Sequence, residues 1–174
     1  TLTNKTLTNP IVNAGTGLAT MLPDGTLTTQ LTQGATIADT LETTLLTYTM
    51  PANALGKNGQ GLEIIAWGSL AGNTNTKTVR LYFGTNVLMS NDVTTAPNGL
   101  SWFFHGWVGR RGAASETGVG DGKVGAVNQT AVKGTMTTDL TAAVIIKVTG
   151  QNGSAVANDI LADGMIVRHL NYSN

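Results

Sequence analysis

Between Gly99 and Arg111 the chain reads GLSWFFHGWVGRR, the densest aromatic stretch of a protein that is only 5% aromatic. Trp102, His105, Trp107, Arg110 and Arg111 bring flat apolar rings and hydrogen-bonding groups together there. Sugar rings present apolar faces and hydroxyl edges, so their sites pair exposed Trp or Tyr with amide, carboxylate or guanidinium groups. These five residues are the candidate glycan-binding set, carried by one strand and its exit. Alternatively, the tryptophans fill a sandwich core or a seam between subunits, with Arg110 and Arg111 at its solvated end.

Other chemistry has less local support. TGVGDGKV, Thr117 to Val124, resembles a phosphate-cradling loop, but that motif opens on Gly and follows its Lys with Ser or Thr, where Thr117 and Val124 stand here. Ser101 lies in Gly-Leu-Ser-Trp-Phe, not in the Gly-x-Ser-x-Gly elbow of a nucleophilic hydrolase. His105 and His169 either meet across strands around a metal or stand apart as isolated strand residues. The second is expected, with no metal site and no cofactor. Glycoside cleavage needs two carboxyl groups about 5 to 9.5 Å apart. Glu116, Asp121 and Asp92 are available on segments expected to be loops, but ten acidic residues produce a close pair by chance. No catalytic residues are assigned, and the expectation is a protein that is not an enzyme.

Composition narrows the partners. Lys+Arg 10 against Asp+Glu 10 gives a formal net charge of +0, and 11% of residues are charged, under half the usual share of about 25%. With no basic run to displace counterions, nucleic acid is not an expected partner. Polybasic membrane contact fails for the same reason, and no apolar run reaches the ~18 residues of a membrane span. Without cysteine there is no disulfide staple and no thiolate metal site, so stability rests on packing or association. Residue 1 is Thr rather than Met, and a fragment or processed product of a longer polypeptide is expected.

The elements that must position these residues read as strands. In Gly61 to Gly84, GLEIIAWGSLAGNTNTKTVRLYFG, two apolar strands flank a polar turn and form an expected hairpin. Val79, Leu81 and Phe83 alternate with Thr78, Arg80 and Tyr82, the period of a half-buried strand. In the first half Leu62, Ile64, Ala66 and Leu70 share one face while Ile65 and Trp67 occupy the other. A strand apolar on both faces needs two covers: the sister sheet, and a further segment or subunit. Leu41 to Met50, Asn86 to Ser90, Gly99 to Arg111, Val124 to Met136, Ala142 to Thr149 and Ile160 to Tyr172 are further strands, the last with a bulge at Gly164. Ala142 to Thr149 reads as the most buried, and Asn152-Gly153 after it as a hairpin turn. Arg111 to Gly125 reads as a glycine-rich loop or weakly paired edge. Roughly eight to ten strands without a long helix indicate an all-β, jelly-roll-like antiparallel sandwich. Residues 1–34, with isolated leucines among Thr, Asn and Gly, have the composition of a disordered linker, but their recurring apolar positions favour an extended stalk or anchor segment ahead of a head domain of residues 35–174.

The opening Thr3 to Pro10 and the run ETTLLTYTMPANALGKNGQGLEIIAWGSLAGNTNTKTVRLYFG, Glu42 to Gly84, resemble the tail-fibre and tailspike-type proteins of bacteriophages. The resemblance covers about half the chain and implies a homotrimeric virion fibre with a slender N-terminal segment before a β-sandwich head used for attachment or for locking the trimer. It implies location on the extracellular particle, with other virion proteins and a host-surface glycan as partners. Trimerisation would give Ile65 and Trp67 their second cover and gather Leu2, Leu7 and Ile11 around a shared axis; the candidates for the second interface on the sandwich are Ile64 or Ile65, Trp67, and Val144 or Ile145. Two alternatives stay open: a capsid decoration fibre anchored through residues 1–34, and a domain of a polysaccharide-degrading spike.

Overall fold

The computed structural model describes residues 25–93, 96 and 98–170. The regular elements among them are eleven strands: β1 (Thr26–Gln30), β2 (Gly34–Ala35), β3 (Glu42–Met50), β4 (Gly61–Leu70), β5 (Lys77–Phe83), β6 (Asn86–Val93), β7 (Leu100–Gly112), β8 (Ser115–Val124), β9 (Val127–Met136), β10 (Val144–Asn152) and β11 (Ile160–Leu170). Dense Thr, Val, Ile and aromatic residues suit a pleated surface and disfavour helix. The strands form a seven-stranded sheet ordered β1-β11-β4-β7-β8-β9, with β2 also on β11, and a four-stranded sheet ordered β3-β10-β5-β6. Every pairing is antiparallel, so the all-β sandwich stands. Its pairing is nested: β1 with β11, β3 with β10, β4 with β7 and β5 with β6, the β8–β9 hairpin extending the larger sheet.

The core lies between the sheets. Leu62, Ile64 and Ala66 of β4, Val79, Leu81 and Phe83 of β5, Phe104 of β7, and Ile146 and Val148 of β10 are all at 0% exposure. Their alternation is the one the sequence shows. Ile64 and Val144 belong to this core, so neither is available to a second interface.

Several local expectations change. Gly61 to Gly84 is not a hairpin, because β4 and β5 lie in different sheets and residues 71–76 carry the chain across. Asn152-Gly153 is not a tight turn between paired strands either. Asn152 ends β10 as a buried residue whose Nδ2 donates to the carbonyls of Ile37 and Val156, pinning the crossing to β11. In β10 burial alternates from Val144 to Val148, where Ile145 is 50% exposed, and Val148, Thr149 and Gly150 are then buried in succession. Residues 26–30 and Gly34, assigned to the stalk by sequence, lie in strands β1 and β2 on β11, the latter shared with Ala35 of the head. The boundary at 34 thus falls inside the sheet, where alternate Thr residues hide a strand period. Residues 1–24 of the stalk assignment, including Leu2, Leu7 and Ile11, lie outside the described residues.

The glycine-rich segment is the largest correction. Ser115–Val124 is a strand paired on both sides, to β7 and β9. Its glycines 118, 120 and 122 recur at every second position on the inward face, where β6 packs across β8. A Cβ at Gly120 would stand 2.2 Å from the Leu88 carbonyl oxygen. Glycine here admits the opposite sheet's backbone instead of breaking a strand.

Candidate functional site

Strand parity decides which of the proposed residues meet. On β7 the even positions Trp102, Phe104 and Val108 point into the core, and the odd positions Phe103, His105 and Trp107 point out. Trp102 is 1% exposed, with its Nε1 donating to the Leu161 carbonyl at 3.0 Å. Its ring is enclosed between the sheets, so it leaves the glycan-binding set. Arg110 follows the inward parity: Nη1 donates to the Leu55 carbonyl, and its charge acts on the buried Glu116. Arg110 therefore ties residues 51–60 to the end of the sandwich and also leaves the set. Arg111 is exposed where a register shift ends β7.

His105 and Trp107 remain, joined by residues of neighbouring strands. Directly paired residues of antiparallel strands share a face, and the register gives three rows across β11, β4, β7 and β8. The first is Arg168, Glu63, Trp107 and Val119. The second is Ile166, Ile65, His105 and Asp121. The third is Gly164, Trp67, Phe103 and Lys123. Ile65 and Trp67, assigned by sequence to a subunit interface, thus share the outer face of the seven-stranded sheet with His105 and Trp107.

The rings form a stripe along β7. His105 and Trp107 have centroids 3.6 Å apart with planes tilted 39°, and Phe103 meets His105 edge-on at 6.2 Å. Phe103 is 42% exposed. Beside them the Trp67 indole lies over Gly164, where a Cβ would come within 2.3 Å of the ring; the bulge between Ala162 and Gly164 sits where the sequence put it. Glu63 holds the polar groups in order: His105 Nε2 donates to Glu63 Oε1 at 2.9 Å, and Arg168 Nη1 to Glu63 Oε2 at 3.3 Å. Asp121 and Lys123 are exposed at the border. The face thus offers flat apolar area edged by carboxylate, guanidinium, imidazole and ammonium groups.

His105 and His169 do not come together. His169 pairs with Leu62 on β4, while Ile65 on the same strand pairs with His105. Burial lowers the His169 pKa, opposed by a hydrogen bond with the Ala54 backbone. Glu116 and Asp121 point to opposite faces of β8, one at 0% exposure and the other exposed. Burial raises the Glu116 pKa, partly offset by the Thr138 N–H, the Arg110 charge and the Ser115 N–H. The side chain of Asp92 lies outside the described ones. Among the described residues no group of three or more His, Cys, Asp or Glu is placed to hold a metal. The sequence reading missed Phe103, Glu63, Ile166 and Arg168. Parity along β7 alone would have replaced Trp102 and Arg110 with Phe103, whereas the cross-strand partners require the register.

A groove of about 810 Å³ lies on the four-stranded sheet, lined by residues including Thr44, Thr47, Asn86, Thr138, Ile145 and Lys147. Next to it Glu42 Oε1 accepts from Tyr82 Oη at 2.8 Å and from Thr149 Oγ1, which occupies those three groups with one another.

No family model matches the chain, and no curated protein does. Among solved structures it is similar to the CBM2 module of the evolved Dit of Lactobacillus casei BL23 phage J-1, with a TM-score of 0.36 and 8% sequence identity over 73% of this chain and 70% of that chain.

Proposed function

We propose that the chain is a non-enzymatic structural module of a phage particle, part of a trimeric fibre, whose sandwich binds host-surface glycan through the outer face of its seven-stranded sheet. The observation that carries the glycan assignment is the ring stripe Phe103, His105 and Trp107 beside Trp67, edged by Glu63, Arg168, Asp121 and Lys123. Flat ring area stacks on sugar faces, and charged groups at its border reach hydroxyl edges. The nested strand pairing supports a jelly roll with one added hairpin. The virion location and the trimer rest on the sequence resemblance of Glu42 to Gly84, with residues 1–24 proposed as the stalk. A capsid decoration fibre would use the same sandwich and differ in what the N-terminal segment holds.

Binding of the full chain to host cells and to a glycan array tests the proposal. The double variant Phe103→Ala, Trp107→Ala should lose at least about tenfold in affinity, the effect of about 1.4 kcal/mol, whereas Arg111→Ala should change little. Unchanged binding by the double variant would remove the glycan assignment. A second reading is favoured by Ile65, Ile166 and Val119 among the rings: aliphatic rows suit a protein seam, which would make this face the trimer contact. Light scattering separates the two, because a seam predicts that Trp107→Ala lowers the assembly's mass as well as any binding.

A further inference from the structure

Where residues 71–76 cross between the sheets, Asn73, Asn75, Lys77 and Asp159 form a closed polar cluster. Lys77 opens β5 at 0% exposure, and Asp159, just before β11, is 1% exposed. Lys77 Nζ lies 2.5 Å from Asn73 Oδ1 and 3.0 Å from the Asn75 carbonyl oxygen. The Asn75 backbone N–H donates to the same Asn73 Oδ1 at 3.0 Å. On the other side of the amide, Asn73 Nδ2 donates to Asp159 Oδ1 at 2.7 Å, and Asn75 Nδ2 donates to Asp159 Oδ2 at 2.9 Å. Backbone bonds from Ala71 to the Asp159 carbonyl at 2.9 Å and from Gly153 to the Thr76 carbonyl at 2.7 Å fix both loops.

The half-buried Asn73 carboxamide therefore stands between an amine and a carboxylate, with a backbone donor on its oxygen. Aminolysis of an amide needs a nucleophile, a donor for the oxyanion and an acid for the departing nitrogen. We propose that Lys77 and Asn73 join in an intramolecular isopeptide bond, formed by the folded domain itself with Asp159 as proton carrier. Lys77 attacks in its neutral form, the ammonium proton having gone to solvent, and Nζ adds to Asn73 Cγ. Negative charge gathers on Oδ1, where the Asn75 N–H meets it. In the adduct Asp159, 2.7 Å from Nδ2, carries the proton shed by Nζ to Nδ2, and the Cγ–Nδ2 bond breaks to release ammonia. One C–N bond forms, one breaks, and nothing is oxidised or reduced. Burial lowers the Lys77 pKa, with the Asp159 charge opposing, which favours the nucleophilic amine. In a chain without cysteine, this bond is a covalent staple at a sheet crossing.

The loop it closes is short, so it removes little denatured-state entropy, and mass is a better readout than melting temperature. Intact-mass spectrometry of the purified chain should place it about 17 Da, one ammonia, below its sequence mass. Trypsin should fail to cut after Lys77, and fragmentation should confine the loss to the segment from Asn73 to Lys77. Lys77→Arg and Asp159→Ala should return the chain to its sequence mass. A wild-type chain at its sequence mass, or a deficit that persists in Lys77→Arg, overturns the proposal. If either variant fails to fold, the wild-type mass and digest decide alone.

Discussion

Replacing Gly120 with alanine should cost the fold about 2 to 3 kcal/mol, because the new methyl meets backbone rather than a yielding side chain. It would stand 2.2 Å from the Leu88 carbonyl oxygen, 2.8 Å from the carbonyl carbon and 3.3 Å from Met89 Cβ, where ordinary contact begins at 3.4 Å. β6 must therefore retreat from β8 by about 1 Å, and interiors as dense as crystals do not absorb that shift cheaply. Overpacking of this kind costs up to about 3 kcal/mol, less the roughly 0.4 to 1 kcal/mol gained when alanine restricts the unfolded chain. Gly134→Ala is the matched control, since nothing lies within 4 Å of a Cβ there; it should be neutral or mildly stabilising. Urea unfolding followed by tryptophan fluorescence measures both. If Gly120→Ala lies within about 0.5 kcal/mol of wild type, or if both substitutions cost the same, the close meeting of β6 and β8 is wrong.

Trp102→Phe should cost about 1 to 3 kcal/mol, because the Leu161 carbonyl loses its donor inside the core; calorimetry checks this, and the folded variant should bind ligand as wild type does. For Glu116 the folded pKa is raised, so its contribution to stability is full below 4.5 and is lost as pH rises through the folded value. Glu116→Gln should therefore gain on wild type as urea midpoints are measured from about pH 4 to about pH 8. Glu42 runs the other way. Burial pulls its pKa up, but hydrogen bonds from Thr149 and Tyr82 and the charges of Arg80 and Lys147 outweigh that and lower it from 4.5. Its stabilisation is present above 4.5 and is lost as pH falls through the folded value. Glu42→Gln should then cost no more than about 1 kcal/mol at neutral pH, since the pair with Arg80 is partly exposed, and progressively less as the pH is taken down below 4.5.

Much of this architecture is visible in the residues. The alternation of Val79, Leu81 and Phe83 and the doubly apolar β4 and β7 follow from a period of 2, and the bulge at Gly164 from a glycine inside a strand. What a period cannot carry is partner choice. The turn after Leu70 reads as a hairpin because two apolar strands flank a short polar segment, yet each strand pairs elsewhere. Pairing in a nested sandwich joins residues far apart in sequence, such as Thr26 with Arg168, and no local pattern encodes that. The glycines of β8 mislead for a related reason. Glycine marks both a turn and a close approach, and only the facing strand tells them apart.

The same geometry links packing to the proposed site. Inward Gly118, Gly120 and Gly122 alternate with outward Val119, Asp121 and Lys123; Gly118 and Gly120, on either side of Val119, are fitted against Leu88 of the opposite sheet, and Gly122 against Phe103 and Phe104 of β7. At the other border Gly164 leaves the space that the Trp67 indole occupies. A flat aromatic face needs its strands held in register and its rings held down, and here both depend on missing Cβ atoms rather than on added contacts. A substitution that pushes β6 from β8 should therefore disturb binding through Val119 and Asp121 while leaving the rings of β7 chemically intact. Gly120→Ala should weaken ligand binding less than the double variant Phe103→Ala, Trp107→Ala, and an equal loss would mean that the stripe acts only through the integrity of the fold.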